Sequence, residues 1–126
     1  MKKGIVLLLG MGIIYVISQS FITEYGAAVK TPEKVKALLD SSCYDCHSSK
    51  SKKMSARINY NLDKWEGYRA TKKIGFLEKI NEVVTEEKMP PKKYLKKHPE
   101  KELSEAQKEM ISDWTISESR SLMEGN

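Results

Sequence analysis

Hydrophobic residues recur every three or four positions in two stretches of the chain, and this spacing predicts amphipathic helices. The clearer stretch covers about residues 72–88 and ends at Met89, which is followed by two prolines that cannot continue a helix. The other begins at Ser104 and Gln107, whose spacing predicts a capping box. The apolar positions are Ile74, Leu77, Ile80, Val83 and Val84 in the first stretch and Ala106, Met110, Ile111 and Trp114 in the second.

Two shorter helices are predicted ahead of these. One begins with Thr31 as the N-cap and Pro32 at the first helical position, and its stripe leads into Ser42-Cys43. The spacing of Asp63 and Glu66 predicts a capping box for the other. The apolar residues are Val35, Leu38 and Leu39 in the former, and Trp65 and Tyr68 in the latter, which we expect to break near Gly67.

The remaining stretches lack a sustained period. Residues 48–61 are rich in Ser, Lys and Asn, and a lysine-rich segment runs from Met89 to Leu103, so both are predicted to be loops. No segment alternates with period two over a useful length, so strands are not expected. We therefore predict an all-α domain of three or four short helices with long loops.

The first 22 residues predict an export signal. Lys2 and Lys3 precede an uncharged stretch, residues 4–17, which can be extended through Ile22 to about the 20 residues that a spanning helix needs. Weak cleavage sites favour an uncleaved anchor over a cleaved signal, and both place the rest of the chain on the periplasmic side of the cytoplasmic membrane. The predicted organisation is a signal anchor or signal peptide (1-22), a spacer (23-30) and one domain (31-126).

Composition limits the class of protein. The 126 residues suit one small domain, and 31% charged residues with a net charge of +5 argue against a multipass membrane protein. The 2 cysteines cannot form a disulfide scaffold with several bridges. An exported domain of about 100 residues with long polar loops buries little apolar area, so a cofactor is expected to complete its core.

The candidate chemistry lies in Cys43-Tyr44-Asp45-Cys46-His47, which is the C-x-x-C-H attachment signature of a c-type haem. On a helical turn, positions i, i+3 and i+4 share one face, so both thiols and the imidazole point the same way. Each thiol can form a thioether with a haem vinyl group, and His47 then becomes the proximal iron ligand. We predict one covalently bound haem c at Cys43, Cys46 and His47.

Haem attachment is the favoured interpretation of the motif, and three other interpretations remain open. A thioredoxin-like redox pair also uses C-x-x-C, but near a βαβ pattern that is not predicted here. A zinc site needs four ligands, and Cys43, Cys46, His47 and His98 are the only Cys and His residues, at no usual zinc spacing. A Cys43–Cys46 disulfide would close too small a loop to stabilise the domain much.

A sixth iron ligand is expected from the exported part of the chain. The candidates are Met54, Met89, Met110, Met123 and His98. Met89 is favoured because the prolines after it hold the backbone out of a helix and can fix the thioether toward the iron. His98 comes second, and a third alternative leaves water or nothing on that side.

Residues 43–114 resemble a known family. The stretch carries SCYDCHS, DKWEGY, KMPPKKY, HPE, LSE and a closing DW, and in this it is similar to the bacterial haem-binding-domain c-type cytochromes. The resemblance implies a small exported or membrane-anchored monohaem protein with haem attached at Cys43 and Cys46, ligation by His47, and Met89 as distal ligand. The family commonly has an aromatic W-P-W-Y-like segment after the haem motif, and residues 48–57 lack it. Tyr60, Trp65 and Tyr68 are the candidate replacements.

The predicted function follows from the ligands. Axial ligation by His47 and Met89 leaves no open iron site for a substrate, which favours an electron carrier over an enzyme. One alternative is a haem-based sensor or ligand-binding protein with a weak or absent sixth ligand. A C-x-x-C thiol-disulfide oxidoreductase is the other.

Charge suggests how partners would dock. Residues 88–101 hold six lysines (88, 92, 93, 96, 97 and 101) against Glu100 alone, and further basic residues follow the haem motif. We predict that they steer an acidic redox partner toward an exposed haem edge, so that association slows in salt. A merely solvated loop and a surface for anionic lipid headgroups are the alternatives, whereas no nucleic-acid recognition motif is present.

Overall fold

The computed structural model describes residues 31–125. The predicted signal (1-22) and spacer (23-30) lie outside this part of the chain. Within it, no helix has both the length and the apolar character needed to cross a bilayer.

Helices account for all the regular structure of residues 31–125, and no strand occurs among them, as the predicted all-α class requires. Six α-helices and two 3₁₀ segments follow one another. They are α1 (Glu33–Ser42), α2 (Tyr44–His47), α3 (Met54–Asn59), a 3₁₀ segment (Leu62–Gly67), α4 (Ala70–Thr85), α5 (Lys92–Leu95), a second 3₁₀ segment (Pro99–Lys101) and α6 (Glu105–Glu124).

The core lies where α4 packs along α6 and α1 closes one side. Leu77 of α4 and Ile111 of α6 are 0% exposed, and Trp114 is buried beside them. Trp65 packs its ring against Trp114 with the centroids 6.1 Å apart, which joins the first 3₁₀ segment to the same core. The other buried apolar residues are Val35, Leu39, Tyr60, Val84 and Leu103.

Several helix boundaries differ from prediction. Pro32, and not Thr31, is the residue before α1, and no side chain caps this helix. At the first 3₁₀ segment the cap is Asn61, whose side chain accepts from the backbone N–H of Asp63. The predicted box of Asp63 and Glu66 is therefore wrong, because the Asp63 carboxylate binds two other donors, described below.

The predicted loops contain short helical turns. α3 lies within residues 48–61, and α5 and the second 3₁₀ segment lie within the lysine-rich stretch. Their three to six residues are too few for a visible apolar period, so only tertiary contacts can stabilise them. The predicted stripe of α6 is correct at Ile111 and Trp114 but wrong at Ala106 and Met110, which are exposed.

α4 ends three residues earlier than predicted, in a Schellman motif. The N–H of Lys88 donates to the carbonyl of Val83 at 2.9 Å, and the N–H of Glu87 donates to Val84 at 3.2 Å. Glu87 adopts the left-handed conformation that this motif needs, with φ of 55°. The turn fixes the direction in which the chain leaves α4 toward Met89.

The capping box predicted for α6 is confirmed. The Ser104 hydroxyl accepts from the N–H of Gln107 at 3.4 Å, and the Gln107 side chain accepts from the N–H of Ser104 at 2.9 Å. We expect Ser104→Ala to lower the free energy of unfolding by about 1 kcal/mol, because the backbone N–H of Gln107 loses its side-chain acceptor at the start of the helix.

Denaturant unfolding followed by circular dichroism measures this loss. Ser104→Thr keeps the hydroxyl and should remain close to the parent. An Ala variant as stable as the parent would show that the box contributes nothing.

Candidate functional site

The haem motif forms the helical turn that its spacing predicts. α1 runs up to Cys43, whose N–H still donates to Leu39 at 2.9 Å. The carbonyl of Cys43 then accepts from Cys46 at 3.1 Å and from His47 at 3.0 Å. The side chains of Cys43, Cys46 and His47 are all half-buried, and both thiols are free. One turn of backbone therefore carries two thiols and an imidazole on neighbouring positions.

The imidazole of His47 is held in one orientation. Its Nδ1 lies 3.0 Å from the backbone carbonyl of Tyr60. A carbonyl oxygen only accepts, so Nδ1 carries the proton and Nε2 keeps its free lone pair. Such a hydrogen bond fixes both the tautomer and the ring orientation of a histidine that ligates through its other nitrogen.

Cys43 is not a reactive thiol in this environment. Burial, and then the nearby Cys46 and Asp40, raise its pKa to about 12. Thiol oxidoreductases depend on a cysteine whose pKa is lowered toward neutrality. The environment of Cys43 therefore disfavours the thiol-disulfide alternative.

The segment after the motif closes back on it through Asp63. This carboxylate accepts from the Tyr44 hydroxyl at 2.7 Å and from the backbone N–H of Ser49 at 2.7 Å. These hydrogen bonds, the one from Tyr44 above all, lower the pKa of Asp63. Arg57 adds bonds to the carbonyls of Ser49 and Ser51, both at 3.3 Å. Residues 48–63 thus form an ordered segment next to the motif.

An aromatic cluster lies beside the imidazole. The ring of Tyr60 is 5.7 Å from His47 and 5.0 Å from Phe76, and Tyr68 packs on the other side of Phe76 at 5.1 Å. The Tyr60 hydroxyl is buried without a hydrogen-bond partner among residues 31–125. Burial raises the pKa of Tyr60, with Cys43 and Tyr68 adding to the effect. This side of the motif therefore has apolar surface together with one unsatisfied hydroxyl.

Met89 lies at the surface after the Schellman turn. Its N–H donates to the carbonyl of Val83 at 3.0 Å, and the residue is 38% exposed. Within residues 31–125 no hydrogen bond or ring contact joins it to His47. The segment that carries Met89 and the turn that carries His47 are joined instead by Tyr94, whose hydroxyl donates to Asp45 of the motif at 2.5 Å.

The other candidate sixth ligands are placed as follows. Met54 and Met123 are 61% and 66% exposed, and Met110 is 37% exposed on α6. The Nδ1 of His98 lies 3.6 Å from a carboxylate oxygen of Glu100. None of these four is fixed to the motif by a described contact of its own side chain.

A cavity of about 570 Å³ opens between α1, the first 3₁₀ segment and α6. Leu39, Tyr44, Tyr60, Trp65 and Trp114 are among its lining residues, whereas Cys43, Cys46, His47 and Met89 are not. The predicted haem ligands therefore do not line this cavity.

Comparison with known families decides the class of site. The family model described as a haem-binding domain matches residues 11–117. The chain belongs to the haem-binding-domain family. Its cofactor is therefore haem, and the resemblance stated from the motifs is confirmed at this level. No curated protein and no solved structure matches the chain.

The residues of the motif fit such a group. Haem of the c type takes two thiols and an imidazole from one turn, and the chain presents these three with Nε2 of His47 free. A half-buried apolar stripe of α4, made of Phe76, Ile80 and Val83, packs on the core. The zinc alternative needs four ligands, whereas within residues 31–125 no three carboxylate, thiol or imidazole side chains converge closely enough to hold a metal ion between them.

Sequence reasoning missed two contacts of the C-x-x-C-H turn. Tyr60 acts through its backbone carbonyl, which no residue type can signal. Asp45 lies in SCYDCHS and Tyr94 in KMPPKKY. No local sequence pattern shows that these two residues form a hydrogen bond across 49 positions. The predicted aromatic replacements are present as a cluster, although Tyr60 and Trp65 are core residues with 8% exposure each.

Proposed function

We propose that the chain is an exported monohaem c-type cytochrome that transfers electrons between periplasmic redox partners. Cys43 and Cys46 would attach the haem, with His47 as proximal ligand and Met89 as distal ligand. The observation that carries this proposal is the hydrogen bond from His47 Nδ1 to the Tyr60 carbonyl. It leaves Nε2 free on the same turn as both thiols, which is the arrangement that covalent attachment with histidine ligation requires.

Haem iron, when bound, supplies a one-electron couple, and the chain's own residues adjust it. The Tyr60 carbonyl holds the imidazole of His47 at a fixed orientation, so the ligand need not reorganise when the charge of the iron changes. Met89 would add a thioether, which stabilises the reduced state relative to a second imidazole. Phe76, Ile80 and Val83 would exclude water from one face of the ring.

The test is a visible spectrum and an intact mass of the full chain, expressed with a haem-attachment system. We expect a mass gain of one haem that survives denaturation, sharp reduced bands, and a thioether-to-iron absorption near the far red. Met89→Ala should abolish that absorption and let CO bind the reduced protein, because an axial position opens.

Met54→Ala is the matched control, since it removes a more exposed methionine near the motif. It should leave both the far-red absorption and the resistance to CO unchanged. An absorption that survives Met89→Ala would contradict the ligand assignment.

A second candidate function rests on the position of Met89. Because this residue is 38% exposed, its bond to iron can be weak, and a weak bond suits a sensor or ligand-binding haem protein. CO binding by the parent chain at low concentration would favour this candidate over electron transfer.

We also propose that lysines beside α5 form the docking surface for an acidic redox partner. Lys88 is already paired with Glu82 and Glu86, so its charge is compensated locally. Lys92, Lys93, Lys96, Lys97 and Lys101 form no ion pair within residues 31–125. The surplus of positive charge is therefore on α5 and the turn after it. These follow directly on residues 88–91, which we call the Met89 segment.

Oxidation of the reduced protein by ferricyanide, a small polyanion, measures this field. We expect the second-order rate at low salt to fall about threefold in Lys96→Gln/Lys97→Gln, and the difference to vanish in high salt. Lys34→Gln/Lys64→Gln removes the same charge from exposed positions elsewhere and should have a smaller effect. Equal slowing by both pairs would contradict a local docking surface. If the parent differs from Lys96→Gln/Lys97→Gln only in its tighter binding to anionic vesicles, a lipid surface is favoured over a protein partner.

A further inference from the structure

The hydrogen bond between Tyr94 and Asp45 joins the two segments that would hold the iron. Asp45 lies between the two cysteines of the motif, and Tyr94 follows Met89 by five positions. The phenol donates to the carboxylate at 2.5 Å. Among residues 31–125 it is the one side-chain hydrogen bond between residues 43–47 and residues 88–103.

Backbone hydrogen bonds hold both ends of the Met89 segment. The Schellman turn holds Met89 to α4 through the carbonyl of Val83. After the two prolines, α5 begins, and the N–H of Tyr94 donates to Pro91 at 2.8 Å. The prolines and this turn leave the segment few free dihedral angles. The hydrogen bond of the Tyr94 side chain therefore also restrains the backbone that carries Met89.

The chemistry of the pair suits a lasting contact. A hydroxyl that donates to an ionised carboxylate makes a short, charge-assisted hydrogen bond. This bond, together with partial burial, raises the pKa of Tyr94, so the phenol stays a donor throughout the neutral range. The ring of Tyr94 also packs on His98 with the centroids 4.6 Å apart, which keeps the phenol directed at the motif.

We propose that the hydrogen bond from Tyr94 to Asp45 is a positioning device that holds Met89 on the iron. The inference rests on the proposed function and adds a residue pair that governs the strength of the sixth-ligand bond. When the pair is intact, the Met89 segment stays next to the turn that carries His47. When it is broken, the segment opens more often and an external ligand competes with Met89 more readily.

The experiment titrates the oxidised full chain with imidazole and follows the far-red thioether-to-iron absorption. We expect Tyr94→Phe to lower the imidazole concentration for half-displacement about fivefold, because a hydrogen bond to a charged group stabilises the closed segment. Asp45→Ala should have a similar effect. The double variant should exceed neither single variant by more than about twofold, since both remove the same contact.

Tyr44→Phe is the matched control. It removes a phenol that donates to a carboxylate from the same turn, but the acceptor is Asp63 in the first 3₁₀ segment. Half-displacement should stay within about twofold of the parent, as expected for two contacts that act separately. An unchanged Tyr94→Phe variant, or an equal effect of Tyr44→Phe, would overturn the inference.

The two proposals fail in different ways. If the parent lacks the far-red absorption, or if the absorption survives Met89→Ala, the ligand assignment falls and the positioning role falls with it. If the absorption depends on Met89 but the imidazole titration of Tyr94→Phe matches the parent, only the positioning role is lost.

Discussion

We expect the double variant Cys43→Ser/Cys46→Ser to carry no haem after denaturation, whereas the parent should retain one haem per chain. Both proposed thioether bonds would depend on thiols placed one helical turn apart, and serine cannot replace sulfur in them. The effect is expected to be complete, because no other cysteine exists in the chain. Intact mass after acid denaturation measures it directly.

Single variants make this result specific. Cys43→Ser and Cys46→Ser should each keep haem through the remaining thiol, at lower yield. His47→Ala should leave both thiols in place but remove the proximal ligand that the Tyr60 carbonyl orients. Haem that remains covalently attached in the double variant would contradict c-type attachment, although not membership of the haem-binding-domain family.

We expect Leu77→Ala to lower the free energy of unfolding by about 3 kcal/mol, because it leaves a cavity between α4 and α6. The side chain is 0% exposed and faces a core in which Ile111 is equally buried. Small domains are stable by only about 5–15 kcal/mol, so this loss is a large fraction of the total. Denaturant unfolding of the full chain with its haem, followed by circular dichroism, gives the number.

Ile116→Ala is the matched control on α6. Its side chain is 49% exposed, so the same type of truncation should cost less than about 1 kcal/mol. The comparison separates loss of packing from loss of helix propensity. Equal destabilisation by both variants would show that the contact between α4 and α6 is not the main core of the domain.

The helices around the site were predictable to different extents for a physical reason. α4 and α6 are long enough for apolar residues to repeat at helical spacing, and the Ser104–Gln107 box has a purely local geometry. α3 and α5 have 6 and 4 residues, too few for such a repeat. The spacing of Asp63 and Glu66 predicts a capping role for Asp63, but Tyr44 and Ser49 donate to its carboxylate in the folded chain.

The sequence by itself determined the C-x-x-C-H motif and its geometry. The spacing of Cys43, Cys46 and His47 fixes their relation within one helical turn, whatever surrounds them. Only the tertiary structure decided which groups support that turn. The carbonyl that orients His47 lies 13 positions away in Tyr60, and the phenol that reaches Asp45 lies 49 positions away. Local periodicity describes neighbours within four residues, whereas these contacts depend on how α1, α4 and α6 pack.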